Sequence, residues 1–286
     1  MPIEDQSMSR PIGLVLARPA HTLGDEPYFH EFVAGAERIL RPLGRSVLLH
    51  VLPTRDDEIA CYRRWADDGH VEGLFLVDLA PEDPRIAVVK ALDLPAVAIS
   101  DPDSGGGLET VWTEDGAAMA EAVTYLDGLG HSSIAHVSGP LAMAHTQIRS
   151  ESFDATAELR GIRPTRIVGD YSEKSGYDAV FSLLAGGVRP TAIVFDNDLM
   201  ALGGLRAAEA RGVHVPDDLS LLAWDDSALC QLAGPPLSAM SHDVQNVGEL
   251  AARGVLRAIA GENPAVVRAD RATVVQRAST AAVRIS

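Results

Sequence analysis

Cysteine is nearly absent. Cys61 and Cys230 stand alone in 286 residues, with no CxxC pair and no secreted-type framework. That argues against a disulfide scaffold and reads instead as two small, buried apolar side chains in a reducing compartment. Positive charge is scarce as well: 24 Lys and Arg against 40 Asp and Glu leave a formal net charge of −16. A chain this poor in cations is not expected to bind nucleic acid by itself, because phosphate contacts need a surplus of Lys and Arg. No apolar run approaches the length of a membrane span. The opening MPIEDQSMSR is polar and acidic, unlike a signal peptide. A soluble, cytoplasmic protein without a membrane partner is expected.

Catalytic and cofactor signatures are missing too. Gly105, Gly106 and Gly107 open neither a GxGxxG helix nor a GxxxxGK[ST] loop. Asp101, Asp103 and Glu109 lack the offsets of a calcium loop. The nine His are scattered, with no HExxH, and there is no GxSxG. Ser138 precedes Gly139 at a strand end, but no base or oxyanion helix accompanies it in the expected pattern. No metal, no cofactor and no catalytic residue is expected.

What is present is alternation. Residues 189–226, RPTAIVFDNDLMALGGLRAAEARGVHVPDDLSLLAWDD, hold two apolar runs at 192–195 and 219–224 around an Ala/Leu-rich helix at 199–211. Gly212 closes that helix, and Pro216 precedes the second run. This is a βαβ unit, so its strands should be parallel and buried. Both runs end in polar groups: Asp196, Asn197 and Asp198 after the first, Asp225 and Asp226 after the second. Ligands of such sheets bind beyond the carboxyl ends of the strands.

The same pattern fills the rest of the chain. Strands are expected at 12–17, 47–52, 74–77, 96–99, 134–137, 166–168, 239–241 and 274–276. Helices are expected at 28–43, 58–68, 85–92, 146–160, 174–185 and 247–259, with one more, capped by Thr113 or Asp115, ending near 128–130. About ten strands exceed one comfortable sheet, so two successive parallel sheets are favoured.

Asp115, Arg149, Tyr171, Asn197, Asp198 and Asp225 share a setting. Each is a planar polar, charged or aromatic side chain beside an expected strand end or loop. Such groups recognise carbohydrates: carboxylates and amides pair with adjacent hydroxyls, Arg offers a fixed fork, and an aromatic face covers the ring. Each also has a plainer reading. Asp115, Asp198 and Asp225 suit helix caps, Arg149 suits a surface ion pair, and Tyr171 suits partly buried packing. Their recurrence at strand ends favours a site.

The chain resembles the LacI/GalR family, the effector-binding core of lactose- and purine-repressor type regulators. The resemblance runs from about Arg10 to the end. It is carried by the 189–226 stretch, PPLSAM (235–240), VEGLFL (71–76), LPAVAISD (94–101), DGLGHSSIAHVSGP (127–140), Arg149 before Ser152 and Phe153, and GDYSEKSGYDA (169–179). It implies an α/β fold of periplasmic-binding-protein-like type I. Two Rossmann-like subdomains, each a parallel sheet flanked by helices, are joined by three crossovers with the effector held in the cleft. The expected division is a linker remnant at 1–10, an N-terminal subdomain at 11–128 plus 244–272, and a C-terminal subdomain at 130–241 plus 273–286. Carried over by position, Asp115, Arg149, Asn197 and Asp225 match the family's polar effector contacts. Tyr171 sits where an aromatic is frequent, His242 lies at the second crossover, and Ala17 and Tyr28 border the first subdomain's loop. That loop departs from the family in placing Glu26, not asparagine, before Pro27 and Tyr28. Ser152 and Trp224 are further departures.

The implied function is effector binding and dimerisation in a LacI-type transcriptional regulator, with a sugar-like small molecule closing the cleft and so controlling operator affinity. The expected partners are that effector, a second copy of the chain, and operator DNA only through a helix-turn-helix headpiece that residues 1–10 do not supply. Apolar helix faces at 32–43 and 200–208 are candidate dimer surfaces, with core packing the alternative for either. Alternatives are a sugar transporter's solute-binding protein and an α/β enzyme using Asp115, Asp198 and Asp225 on a sugar phosphate or nucleoside. Replacing Arg149 by Ala should abolish ligand stabilisation with the unliganded fold nearly unchanged.

Overall fold

In a computed structural model of the chain, residues 10–18, 27–187 and 189–283 are described. Residues 1–9 of the expected 1–10 leader and most of the 18–27 loop, Glu26 included, lie outside them. The first elements are β1 (Ile12–Ala17), α1 (Pro27–Leu40), β2 (Val47–Leu52), α2 (Arg55–Asp68), β3 (Gly73–Leu76), α3 (Pro84–Ala91), β4 (Ala96–Ile99) and β5 (Glu109–Trp112). Next come α4 (Asp115–Gly128), β6 (Ser133–Ser138), α5 (Ala144–Arg160), β7 (Arg163–Val168), α6 (Glu173–Ala185) and β8 (Ala192–Phe195). After these run α7 (Asp198–Ala210), β9 (Ser220–Asp225), the short α8 (Ala228–Leu232) and β10 (Ser238–Ser241). α9 (Val244–Ile259), β11 (Val266–Arg268) and β12 (Thr273–Val275) complete the order. No helix among the described residues is long and apolar enough to cross a membrane.

The chain divides into two compact units, changing from one to the other after Trp112, Asp243 and Ala269. The first change differs from the expected 128–130 boundary, because α4 belongs wholly to the second unit. Its Ala118, Met119, Ala122, Val123 and Leu126 share a core with Phe153 and Ala157 of α5 and Ile134 of β6. The helix that sequence attached to the first unit is thus claimed by the apolar face it buries.

In the first unit the sheet order is β11-β5-β4-β3-β1-β2, with every neighbouring pair parallel. Alternation along β1 sends Ile12, Leu14 and Leu16 to the core shared with α1 and α9. Val15 goes to the opposite core, with Tyr62 and Trp65 of α2 and Val89 of α3. A run apolar on both faces, IGLVLA, is what a strand covered by helices on both sides requires. The second unit orders its strands β12-β10-β9-β8-β6-β7, parallel except for the β10–β12 pair. Ile193 and Phe195 of β8 face α6 and α7, while Ala192 and Val194 face α4 and α5.

Each unit contains one helix pair drawn together by reciprocal glycines. A Cβ on Gly35 of α1 would meet the Gln245 carbonyl at 1.9 Å, and one on Gly248 of α9 the Phe32 carbonyl at 2.1 Å. Gly176 of α6 and Gly203 of α7 repeat the arrangement, at 2.1 Å from the Met200 carbonyl and 1.9 Å from that of Glu173. Of the two readings of the apolar helix faces, dimer surface or core, these contacts favour core. Phe32, Ala36 and Leu40 are buried in their own unit's core, as are Met200, Ala201, Ala207 and Ala208 in theirs.

β5, α8 and β11 are additions to the expected elements. β5 reads ETVW and ran together with the approach to the next helix. Its buried Glu109 is tied to Arg257 and to the Ala265 amide, a long-range use invisible in a local window. β7 also begins three residues earlier than expected, since Pro164 is tolerated on an exposed edge strand.

Candidate functional site

The helices that follow β6 and β8 lie on opposite faces of the second unit's sheet: α5 in the Phe153 core, α7 in the Met200 core. β6 and β8 are neighbours, so the crevice beyond their carboxyl ends is the topological switch point of this unit. Asp196 directly follows β8, Gly139 directly follows β6, and Arg149 comes from the second turn of α5.

Arg149 organises the cluster. Its Nε donates to Asp115 Oδ1 at 2.7 Å, and Nη2 pairs with the same oxygen at 2.6 Å. Nη1 donates to the Asp196 carbonyl at 3.2 Å and lies 3.8 Å from Asp196 Oδ1. The guanidinium lies over the Trp224 ring, 4.1 Å from its centroid, a cation–π arrangement that covers one face. The side chain keeps 10% of its surface exposed. Asp196 itself is buried, accepting from His136 Nε2 and from the Gly139 amide, both at 2.9 Å. His136 packs its ring 5.1 Å from that of Phe153, and its Nδ1 is buried with no hydrogen-bond partner.

The plainer readings are resolved one by one. Asp115 is not a cap: Glu114 occupies the N-cap of α4 in a left-handed conformation without a side-chain cap bond. The Asp115 carboxylate instead takes Arg149 and the Thr113 hydroxyl, the latter at 2.7 Å. Asn197, not Asp198, caps α7; its Oδ1 accepts from the Met200 amide and its Nδ2 donates to the Tyr171 carbonyl, each at 2.9 Å. Tyr171 is packed and 7% exposed, its ring lying where a Cβ on Gly139 would sit. Its hydroxyl bonds His145 Nε2 at 2.8 Å and Thr146 Oγ1 at 3.0 Å. Arg149 pairs with buried acids, not a surface one.

Beyond β9, Asp225 and Asp226 both have positive φ, 80° and 63°, and Tyr171 has 69°. Non-glycine residues held there store strain, which clusters at functional sites. Asp226 is consumed by Arg277, whose Nη1 and Nη2 reach it at 2.6 and 3.0 Å. Asp225 keeps 18% of its side chain exposed and faces His242 Nε2 at 3.3 Å.

Charge follows from burial and partners. Burial pushes the Asp115 carboxyl up, but Arg149 outweighs it with help from His145 and Thr113, leaving it below its ordinary value. Asp196 is likewise raised by burial and brought below its ordinary value by His136, Arg149 and the Gly139 amide. Burial works against charge on Arg149, yet Asp115 and Asp196 hold its affinity for the proton above normal. Asp198 behaves oppositely: burial, then the nearby Asp225 charge, push it up to about 6. It accepts from the Ser227 amide at 2.8 Å and from the Cys230 thiol at 2.9 Å.

Six of the eight expected site residues therefore fall in the second unit: Asp115, Arg149, Tyr171, Asn197, Asp225 and His242. Ala17 and Tyr28 belong to the first. Ala17 ends β1 opposite Leu52, and Tyr28 sets its ring edge-on to Phe29 at the start of α1. Asp196 was marked only as one of the polar groups at a strand end, and His136 and Trp224 were not among the expected site residues. A histidine inside the buried run IAHV was the available signal, since a polar side chain there demands a partner. Among the described residues no group of three metal-ligating side chains converges.

Residues 123–280 match the family model described as a periplasmic binding protein-like domain. The chain is 28% identical over 243 residues to the ribose operon repressor of Escherichia coli, covering 81% of this chain and 73% of that protein. It is 36% identical over 200 residues to the HTH-type transcriptional regulator reg1 of Streptomyces lividans, covering 67% of this chain and 57% of the relative. A solved LacI family transcriptional regulator from Bifidobacterium animalis superposes with a TM-score of 0.88 at 35% identity, covering 96% of this chain and 100% of that one.

Proposed function

We propose that this chain, which belongs to the LacI family of transcriptional regulators, binds a small hydroxylated effector, a sugar or sugar derivative, at the Arg149 cluster. The observation that carries the reading is the placement of Arg149. It lies at the switch point of a parallel sheet, clamped between Asp115 and Asp196 and against the Trp224 ring, with 10% of its side chain exposed. Asp115, Arg149 and Asp225 are the principal contacts, with Asn197 and Tyr171 bracing them and His242 orienting Asp225. In the whole regulator, effector binding shifts a conformational equilibrium and thereby operator affinity. Homodimerisation, a cytoplasmic location and the absence of enzymatic turnover belong to the same proposal.

The experiment is a thermal-shift screen of sugars, nucleosides and purines, repeated on Arg149→Lys, which keeps the charge and loses the fork. A hydroxylated compound should raise the melting temperature of the native chain, and the variant should lose at least tenfold in affinity. Unaltered affinity in the variant would remove the site. The enzyme alternative has one observation in its favour, the raised pKa of Asp198. That carboxylate is buried beneath Ser227 and Cys230, which tells against proton transfer to a substrate.

A further inference from the structure

We propose that the Arg149 site selects a neutral or cationic hydroxylated effector over an anionic one, and that Asp196, held by His136, sets this preference. The inference rests on the effector-site reading above and names the charge class of its ligand.

An arginine that captures a ligand carboxylate or phosphate offers two parallel N–H groups to it. Here the Nε–Nη2 edge is already turned onto Asp115, at 2.7 and 2.6 Å. The remaining nitrogen, Nη1, is turned towards Asp196, and Trp224 covers a face of the guanidinium. An anionic ligand would therefore have to displace the protein's own carboxylates. Charge points the same way. One guanidinium faces Asp115, Asp196 and Asp225, with Asp198 beyond them, while the nearby Arg277 is consumed by Asp226. The net charge of −16 repels anions at longer range.

Asp196 acts through Arg149 and not by contact. Its carboxylate is buried, with His136 on one oxygen and the Gly139 amide on the other. These two donors keep a buried acid ionised beneath the arginine, a second negative charge that recognition of a neutral ligand does not need. Its effect is to cancel the attraction Arg149 would otherwise exert on an anion. Asp196 is a positioning and specificity residue, and His136 is its support.

The test compares matched sets: glucose, glucosamine, glucuronate and glucose 6-phosphate, and the corresponding galactose and ribose derivatives. Binding is measured by calorimetry at pH 8, above the range in which imidazoles ordinarily charge. In the native chain the neutral or amino member should bind at least tenfold more tightly than the uronate or phosphate of its set. Asp196→Asn, close in size and still an acceptor for the Gly139 amide, should bring that ratio at least tenfold nearer to parity; a purely structural role would weaken all members alike. An anionic member that binds most tightly and depends on Arg149 overturns the preference and leaves the site intact. So does an unchanged ratio in a folded Asp196→Asn. If that variant does not fold, the native ratio decides alone. Failure of every member to bind through Arg149 overturns the effector-site reading, and this one with it.

Discussion

Each unit contains an arginine clamped by two carboxylates, and the two differ in what they leave over. In the first, Arg85 is fully buried. Its Nε reaches Asp83 at 3.0 Å, Nη1 reaches Glu58 at 2.8 Å, and Nη2 serves Asp83 and the carbonyls of Val77 and Asp78 at 2.9 to 3.0 Å. Glu58 is further held by Tyr62 and Arg55. Every donor is satisfied internally, and the result is a strut that fixes the connection from β3 to α3. Arg149 has the same chemistry at a strand-end crevice, where 10% of its side chain stays exposed. An arginine sealed from solvent braces the fold; one that keeps some surface at a strand-end crevice can also meet a ligand.

The largest effect should separate these roles. Arg85→Met strands Glu58 and Asp83 without their cation, and breaking such a buried pair costs about 3–5 kcal/mol. Arg149→Met should cost less, about 1–3 kcal/mol, because Asp196 keeps His136 and Gly139 while Asp115 keeps Thr113. Urea denaturation measures both, and the reverse order would break the comparison. Buried partners also revise the expectation that Arg149 can be removed with the unliganded fold nearly unchanged.

A smaller effect concerns pH. Asp198, with a folded pKa of about 6 against an ordinary 3.8, is protonated when folded and ionised when unfolded between those values. The folded state then binds more protons, so stability falls as pH rises from about 4 to 6, by roughly 2–3 kcal/mol for this group. Asp115 and Asp196, shifted downward, act in the opposite sense: their contribution is present above the ordinary carboxylate range and is lost in stronger acid. Asp198→Asn should therefore flatten the melting temperature between pH 4 and 6.5. An unaltered slope would place the titration elsewhere.

The smallest effects should compare two caps. Thr54 caps α2 in the first unit and Asn197 caps α7 in the second. Replacing either by Ala should cost about 1 kcal/mol. Only Asn197→Ala should also weaken ligand-induced stabilisation, because its amide holds the Tyr171 carbonyl. Equal loss of ligand response in both variants would contradict a site confined to the second unit's strand ends.

Much of the architecture was legible in local pattern. The runs IGLVLA, VLLHVL and AIVF were apolar enough to be parallel strands, and Gly161 and Gly212 marked helix ends through their left-handed conformation. The strand-end carboxylates and Arg149 were legible for the same reason. β5 and β11 were not, being short and tied by Glu109 to partners about 150 residues away. His136 and Asp196, sixty residues apart, also meet only across neighbouring strands.

By itself the sequence determined the alternation of strands and helices, the family, and the ends of the strands where polar groups collect, because periodicity and turn chemistry act over a few residues. Only the tertiary structure decided that α4 joins the second unit, that Arg85 is a strut and Arg149 is not, and that Asp196 is charged beneath it. Those outcomes depend on burial and on distances between residues far apart in the chain, which set whether a charge is solvated, paired or sealed from water.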